Sequence, residues 1–224
     1  MGKRGPKPKG KVEIKWSPNF AYAIGLITSD GCLSRNGRCV TFVSKDEDQV
    51  RNFTRALGIE VKIGYSQKHD AYGARRCSRV QLGDVLFCRF LLSIGLMPNK
   101  SKVLKAVEVP EGYFFDFLRG LFDGDGSIYS YYDSRWKSSF MFYTIFASAS
   151  AEFILWLQNE INGHLGVRGH ITHARNSTVY QLKFAKADSI KILRSMYHAS
   201  DLLCLSRKRL KVERILHTIG QRLQ

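Results

Sequence analysis

The sequence predicts an α+β protein built from two pseudo-symmetric halves, each running α-β-β-α-β-β-α, with one helix of each half packed against the other at the interface. Three observations predict it. Two nonapeptides nearly repeat each other, Ala23-Ile24-Gly25-Leu26-Ile27-Thr28-Ser29-Asp30-Gly31 and Leu118-Arg119-Gly120-Leu121-Phe122-Asp123-Gly124-Asp125-Gly126. Each has Gly third, Leu fourth, a bulky apolar residue fifth, a small residue seventh and Asp-Gly at its end. The elements that follow each copy come in the same order. Finally, Phe42-Val43-Ser44 is echoed by Phe146-Ala147-Ser148, and Leu82 by Phe184, at nearly the same displacement along the chain.

Residues 2–11, made of Lys, Arg, Pro and Gly, cannot bury anything, and a basic flexible arm is expected over 1–15. It reads either as a minor-groove hook or as a solvated tail with affinity for phosphate. The halves are expected over 16–105 and 106–224. Ser17 is a good N-cap and Pro18 a good first-turn residue, so a helix starts there and stops at Gly31. Asn36-Gly37 is a hairpin turn between strands near 32–34 and 38–44. Asp46 opens a helix that Gly58 ends, strands follow near 61–67 and 75–82, and Asp84 caps a helix over 85–94. In the second half a helix over 113–125 leads to strands at 128–132 and 140–147. Ser150 caps the next helix, strands follow near 167–173 and 178–184, and helices run from 188 to 196 and from 206 onward.

The chain has 224 residues, enough for a real core. No apolar run approaches the roughly 20 residues of a membrane helix, and the basic N-terminus has no apolar segment of the kind that directs secretion. An intracellular protein is expected, with nothing to distinguish an organelle from a bacterial or archaeal cytoplasm. Five scattered cysteines without a C-x-x-C pair argue against a disulfide framework and a zinc ribbon. The strongest global signal is charge: 35 Lys and Arg against 19 Asp and Glu give +16, with a pI near 9.8. On a globular composition this points to a polyanion, and first to nucleic acid.

Gly25 and Gly120 each cost a helix interior about 1 kcal/mol relative to Ala. Close approach of two helix backbones would offset that cost. Paired in this way, the helices bring Asp30 and Asp125 to one place, at two C-termini whose dipoles are also negative. A divalent cation relieves the conflict. Oxygen ligands suit Mg²⁺ held by one or two carboxylates plus phosphate oxygens, and the chemistry that follows is hydrolysis of a phosphodiester.

The paired nonapeptides, the repeated element order and Gly95-Leu96-Met97-Pro98-Asn99-Lys100-Ser101 ahead of the second copy resemble the LAGLIDADG homing endonucleases of the monomeric, two-repeat type. The resemblance spans roughly residues 16–216. It implies saddle-shaped antiparallel sheets over the major groove and motif helices at the interface. It also implies two or three divalent ions, Mg²⁺ first, at the scissile phosphates across the minor groove, with Asp30 and Asp125 as metal ligands. Thr28 and Asp123 occupy the sixth place, which is not the ligand position. Family enzymes carry basic or polar residues around the metal. By position these are Lys45 and Lys186, which otherwise read as surface lysines beside helix caps. Ser148-Ala149 and Gly83 stand at the equivalent places in the opposite halves, so the halves are unequal and a nicking bias is expected.

Strand alternation puts Thr41, Arg75, Arg79, Gln81, Gln181 and Lys183 on the faces opposite the helices, as DNA contacts or as solvated positions. Arg35, Arg38, Tyr131 and Arg135 sit at hairpin tips in the same two readings. His170-x-x-His173 does not make a zinc pair on a strand, and His173 reads as a DNA-facing polar residue. The function expected is site-specific, metal-dependent cleavage of both strands of a long, non-palindromic or pseudo-palindromic DNA target by a monomer with no membrane partner. The chain begins with Met and lacks a terminal His-Asn pair, so a free-standing, intron-encoded protein is expected rather than an intein. The alternatives are an RNA maturase or a non-cleaving DNA-binding protein of the same fold. A basic scaffold would leave the repeated carboxylates unexplained.

Overall fold

A computed structural model describes residues 10–70, 73–136 and 138–223, with side chains for all of these except 67–70 and 73–75. The first half runs α1 (Pro18–Asp30), β1 (Gly31–Leu33), β2 (Cys39–Ser44), α2 (Glu47–Ala56), β3 (Gly64–Asp70), β4 (Gly73–Gly83) and α3 (Val85–Ser93). The second runs α4 (Phe114–Asp125), β5 (Ser127–Tyr132), β6 (Phe140–Ser148), α5 (Ala151–Leu165), β7 (His170–His173), β8 (Tyr180–Phe184), α6 (Lys186–Met196) and α7 (Ser206–Thr218). Both sheets are antiparallel and have the same order, β1-β2-β4-β3 and β5-β6-β8-β7. This is the expected α+β pseudo-symmetric fold. Among the described residues no helix is long and apolar enough to cross a membrane.

Local chemistry explains most boundaries. The Ser17, Asp84 and Ser150 side chains accept from the backbone N–H groups of Phe20, Phe87 and Phe153, satisfying orphan donors at three helix starts. Asp46 makes no cap hydrogen bond; its carboxylate is held by Arg207 instead. Gly31 and Gly126 end α1 and α4 in extended rather than left-handed backbone. They are glycines because a Cβ on Gly31 would lie 2.6 Å from Ile27 Cα, and one on Gly126 2.6 Å from Phe122 Cα.

One continuous core runs through both halves, and its centre is the contact between α1 and α4, the most extensive between any two helices. Nearly every residue of both helices is buried, so neither has a solvated face. Each sheet packs its alternate residues under its helices: Val40, Phe42, Val80 and Leu82 in the first, Phe142, Phe146, Leu182 and Phe184 in the second. The opposite residues form an open face.

At the helix crossing a Cβ on Gly25 would lie 2.1 Å from Phe117 O, and one on Gly120 2.1 Å from Tyr22 O. Backbone meets backbone there, so no side chain can turn aside. Gly120→Ala is therefore expected to destabilise the fold by about 2 kcal/mol or more despite its better helix propensity. That corresponds to a fall in Tm of roughly 4–8 °C for a chain of this size, read by thermal melting; an unchanged Tm would show that the helices part at no cost.

Candidate active site

The crossing fixes where the motif ends. A Cβ on Gly124 would meet Ser29 Oγ at 1.9 Å and Asp30 Oδ2 at 2.9 Å, so the end of α1 lies directly on the end of α4. Two clefts open from this point. One is lined by Asp30, Ser44, Lys45, Asp46, Gln49, Cys77, Gly124 and Arg207. The other is lined by Asp125, Thr28, Ser29, Lys100, Ser101, Ser148 and Ala149. Each therefore joins the last carboxylate of one motif to the end of the second strand of its sheet, and the buried Asp123 also lines the first. Burial raises the Asp125 carboxyl above the ordinary carboxylate range, and Lys100 and Lys208 oppose that rise.

Lys100 and Lys208 are the residues that sequence reasoning missed. Both are almost fully buried, 6% and 8% exposed. Lys100 Nζ donates to Ser29 O and Gly31 O at the end of α1. Lys208 Nζ donates to Phe122 O, Gly124 O and Gly126 O at the end of α4. Each ammonium thus gathers backbone carbonyls at a helix C-terminus and places a positive charge on its negative end. Burial lowers both pKa values, that of Lys208 to about 8, so Lys208 still carries its proton at neutral pH. The signal was in the sequence: Met97-Pro98-Asn99-Lys100 and Leu205-Ser206-Arg207-Lys208 occupy matching places in the two halves. Asn99, with φ +55°, turns the chain inward for Lys100.

Lys208 lies in the first turn of α7, and α4 holds the segment that leads into that helix. Arg119, fully buried, donates to Met196 O and Leu203 O and pairs with Asp116 at 2.8 Å. Asp123 accepts from Leu205 N and from the Tyr22 hydroxyl of α1. The sixth place of the second motif is therefore a brace between α1, α4 and α7.

The expected catalytic lysines separate. Lys45 is exposed in the Asp30 cleft. Lys186 is not in the Asp125 cleft: its Nζ donates to Phe140 O at the start of β6, whereas the cleft is lined by the residues that end β6. The two ends are about 26 Å apart at strand rise. Antiparallel β8 carries the chain away from the carboxylate.

On the open faces, Thr41 is opposite Gln81, and Arg79 donates to Gln81. Gln181 and Lys183 are opposite Ala147 and Ile145, and Tyr131 is opposite Met141. Arg35 and Arg38 are exposed at the first hairpin turn, and Arg135 is paired with Asp133 at 3.1 Å. The side chain of Arg75 lies outside the described residues. His173 is misplaced by the sequence reading. It is opposite Tyr180, on the helix side, and its ring stacks on that tyrosine at 4.2 Å; His170, opposite Lys183, holds the open-face position.

The donor set fits a hard divalent ion completed by water and phosphate, with Asp125 in one cleft and Asp30, beside Asp46 and the buried Asp123, in the other. Among the described residues no group of three or more His, Cys, Asp or Glu side chains converges. The hollow along the last turns of α7, lined by Arg209, Arg214, His217 and Leu223 among others, shares no residue with either motif.

Comparison with known proteins agrees with this geometry. Residues 114–197 match the LAGLIDADG-like domain. Among solved structures, the homing endonuclease I-WcaI bound to its DNA recognition sequence is similar over 89% of this chain and 88% of its own, at 15% identity and a TM-score of 0.64. I-DmoI in complex with DNA and Mn is similar over 82% and 98%, at 17% identity and a TM-score of 0.51. Full-length DUF199/WhiA from Thermatoga maritima is similar over 95% of this chain and 64% of its own, at 15% identity and a TM-score of 0.57. No curated protein sequence matches.

The Asp123 brace gives a pH signature. Burial lifts this carboxyl to about 6, against the hydrogen bonds from Tyr22 and Leu205 and the nearby Lys208 and Arg119. Between about pH 4 and 6 the folded chain then holds a proton that the unfolded chain releases. The stability this contributes is full below about pH 4 and is lost as pH rises through 6. Between pH 5 and 7.5 wild type should lose on the order of 1–2 kcal/mol relative to Asp123→Asn, measured by urea unfolding; parallel profiles for the two proteins would show that Asp123 does not titrate in this range.

Proposed function

We propose that this chain, which carries a LAGLIDADG-like domain in its second half and the two-repeat fold of the LAGLIDADG homing endonucleases over both halves, is a site-specific endonuclease that acts on double-stranded DNA as a monomer. The observation that carries this reading is the pair of clefts, each joining the last carboxylate of one motif to a helix end charged by a buried lysine. A net charge of +16 supplies the attraction to a phosphate backbone.

Asp30 and Asp125 would hold divalent metal, Mg²⁺ first, and the metal would supply a water of lowered pKa and charge stabilisation at the phosphate. The chain's own residues do the rest. Lys100 and Lys208 hold positive charge behind the carboxylates, so the carboxylates stay in place against their mutual repulsion and the helix dipoles. In the Asp30 cleft, Lys45 and Arg207 face the solvent side, where phosphate oxygens and the developing negative charge would lie. Arg207 is partly neutralised by Asp46 at 2.7 Å. The Asp125 cleft has Ala149 and Ser150 in the places of Lys45 and Asp46, and no counterpart of Arg207 beyond Asn99. Its strand would be cut more slowly.

The second reading, a DNA binder of this fold that does not cut, draws on the likeness over nearly the whole chain to DUF199/WhiA, a protein not named as an endonuclease. Retention of both carboxylates weighs against it, because a binder has no use for concentrated negative charge beside phosphate.

Incubation with supercoiled plasmids carrying a library of sites, in Mg²⁺ and then in Ca²⁺, separates the two. Wild type is expected to give linear product in Mg²⁺, and Asp125→Asn to lose it by a factor of at least about 10² while still binding; tight binding without cutting in any divalent metal would sink the enzyme reading. On a duplex labelled on either strand, nicking should come first on the strand at the Asp30 cleft, and Ala149→Lys should narrow the gap. Equal initial rates on the two strands would show that the cleft charges do not set the rate.

A further inference from the structure

The two open faces differ in chemistry. On the first sheet, β4 presents Arg79 and Gln81 beside Thr41 of β2. On the second, β8 presents Gln181 and Lys183, and β5 and β6 present Tyr129, Tyr131, Met141, Tyr143 and Ile145, with no charge among these five. Tyr129 is 57% exposed. The patch begins at Ser127, two residues beyond Asp125, and is bordered by Lys183, which is opposite Ile145. It is therefore continuous with the Asp125 cleft. An exposed apolar surface of this kind on a strongly basic chain marks a binding surface, and the +16 charge around it selects a polyanion.

A duplex offers such a surface one apolar feature in its major groove, the C5-methyl of thymine. Met141 and Ile145 carry no hydrogen-bonding hydrogen and no strong acceptor. Laid over a cytosine amino group or a guanine carbonyl, they would remove water and return no partner. The rings are not arranged as platforms for unpaired bases. Tyr131 lies parallel to Tyr143, at 8° and 6.4 Å between centroids, and 5.6 Å from Tyr129, so the tyrosines pack on one another.

We propose that the open face of β5 and β6 reads thymine methyl groups, so that A·T pairs specify the base pairs these two strands cover, while Arg79 and Gln81 on the first sheet, and Gln181 and Lys183 on β8, read by hydrogen bonds. The inference rests on the reading of the chain as a duplex-DNA binder, and it holds whether or not the DNA is cut.

The test uses the full chain in Ca²⁺. Duplexes are selected from a random library, and the half-site whose consensus changes in Gln81→Ala is assigned to the first sheet. Thymines are then replaced by deoxyuridine, one half-site at a time. In the half-site of the second sheet affinity is expected to fall about fourfold for each methyl in contact, the effect of exposing one buried methyl-sized group; in the other half-site it should not change. Ile145→Asn and Met141→Gln, both on half-buried strand positions, should narrow the difference between the thymine and deoxyuridine duplexes, and together abolish it. Equal loss in both half-sites, no loss in either, or a consensus under the second sheet that holds no A·T pair overturns the proposal. Tighter binding of the single strand or of RNA of the same sequence also overturns it, in favour of base stacking. Failure to enrich any duplex overturns the DNA-binding reading itself.

Discussion

The rest of the structure depends on one contact, the meeting of two helix backbones at Gly25 and Gly120. Ordinary helix packing keeps axes 8–10 Å apart because side chains stand between them; here carbonyl and amide of one helix face the glycine of the other. That closeness brings the two C-termini together and with them Asp30 and Asp125. It also sets the sheets to either side, because the strand that follows each motif starts one or two residues after its last aspartate. A wider crossing would separate the carboxylates and tilt both sheets at once.

Closeness carries an electrostatic cost, and the structure shows how it is met without any ligand. Two carboxylates, two helix dipoles and a buried Asp123 concentrate negative charge at one point. Lys100 and Lys208 answer from inside, each coordinating the carbonyls of a different helix end. Burying an ammonium is unfavourable unless several acceptors surround it, and the lowered pKa values register that cost. The sequence reading assigned the whole conflict to a divalent cation. The lysines take up part of it, because each places a positive charge on one helix end beside the motif carboxylates.

The fold was legible because its signals are local and doubled. Ser17, Asp84 and Ser150 cap where their residue types say they should, and alternation on β2, β4, β6 and β8 places the core side of each sheet. Asp30, Asp125 and the close glycines were legible for the same reason. The lysine seats were harder to see because each joins parts of the chain far apart, and Lys208 looks like one more basic residue on an exposed helix. Lys186 failed for a geometric reason: position after a strand does not say which end of the sheet is reached, and antiparallel β8 ends far from Asp125. His173 failed by register, since β7 starts three residues later than expected and the pairing with Tyr180 turns the ring under the sheet.

What the duplication leaves free is as telling as what it keeps. Gly25 and Gly120, the two aspartates and the two lysines are matched, because each answers a constraint at the crossing that both halves share. The residues around the clefts and on the open faces are not matched. Lys45, Asp46 and Arg207 surround Asp30, while Ala149, Ser150 and Asn99 hold the corresponding places at Asp125. β4 carries Arg79 and Gln81 where β8 carries Gln181 and Lys183, and β2 carries Cys39 and Thr41 where β6 carries Tyr143 and Ile145. A symmetric hinge fixes the distance between the two clefts but places no demand on what each sheet reads. The differences therefore collect around the clefts and on the open faces, away from the crossing that both halves share.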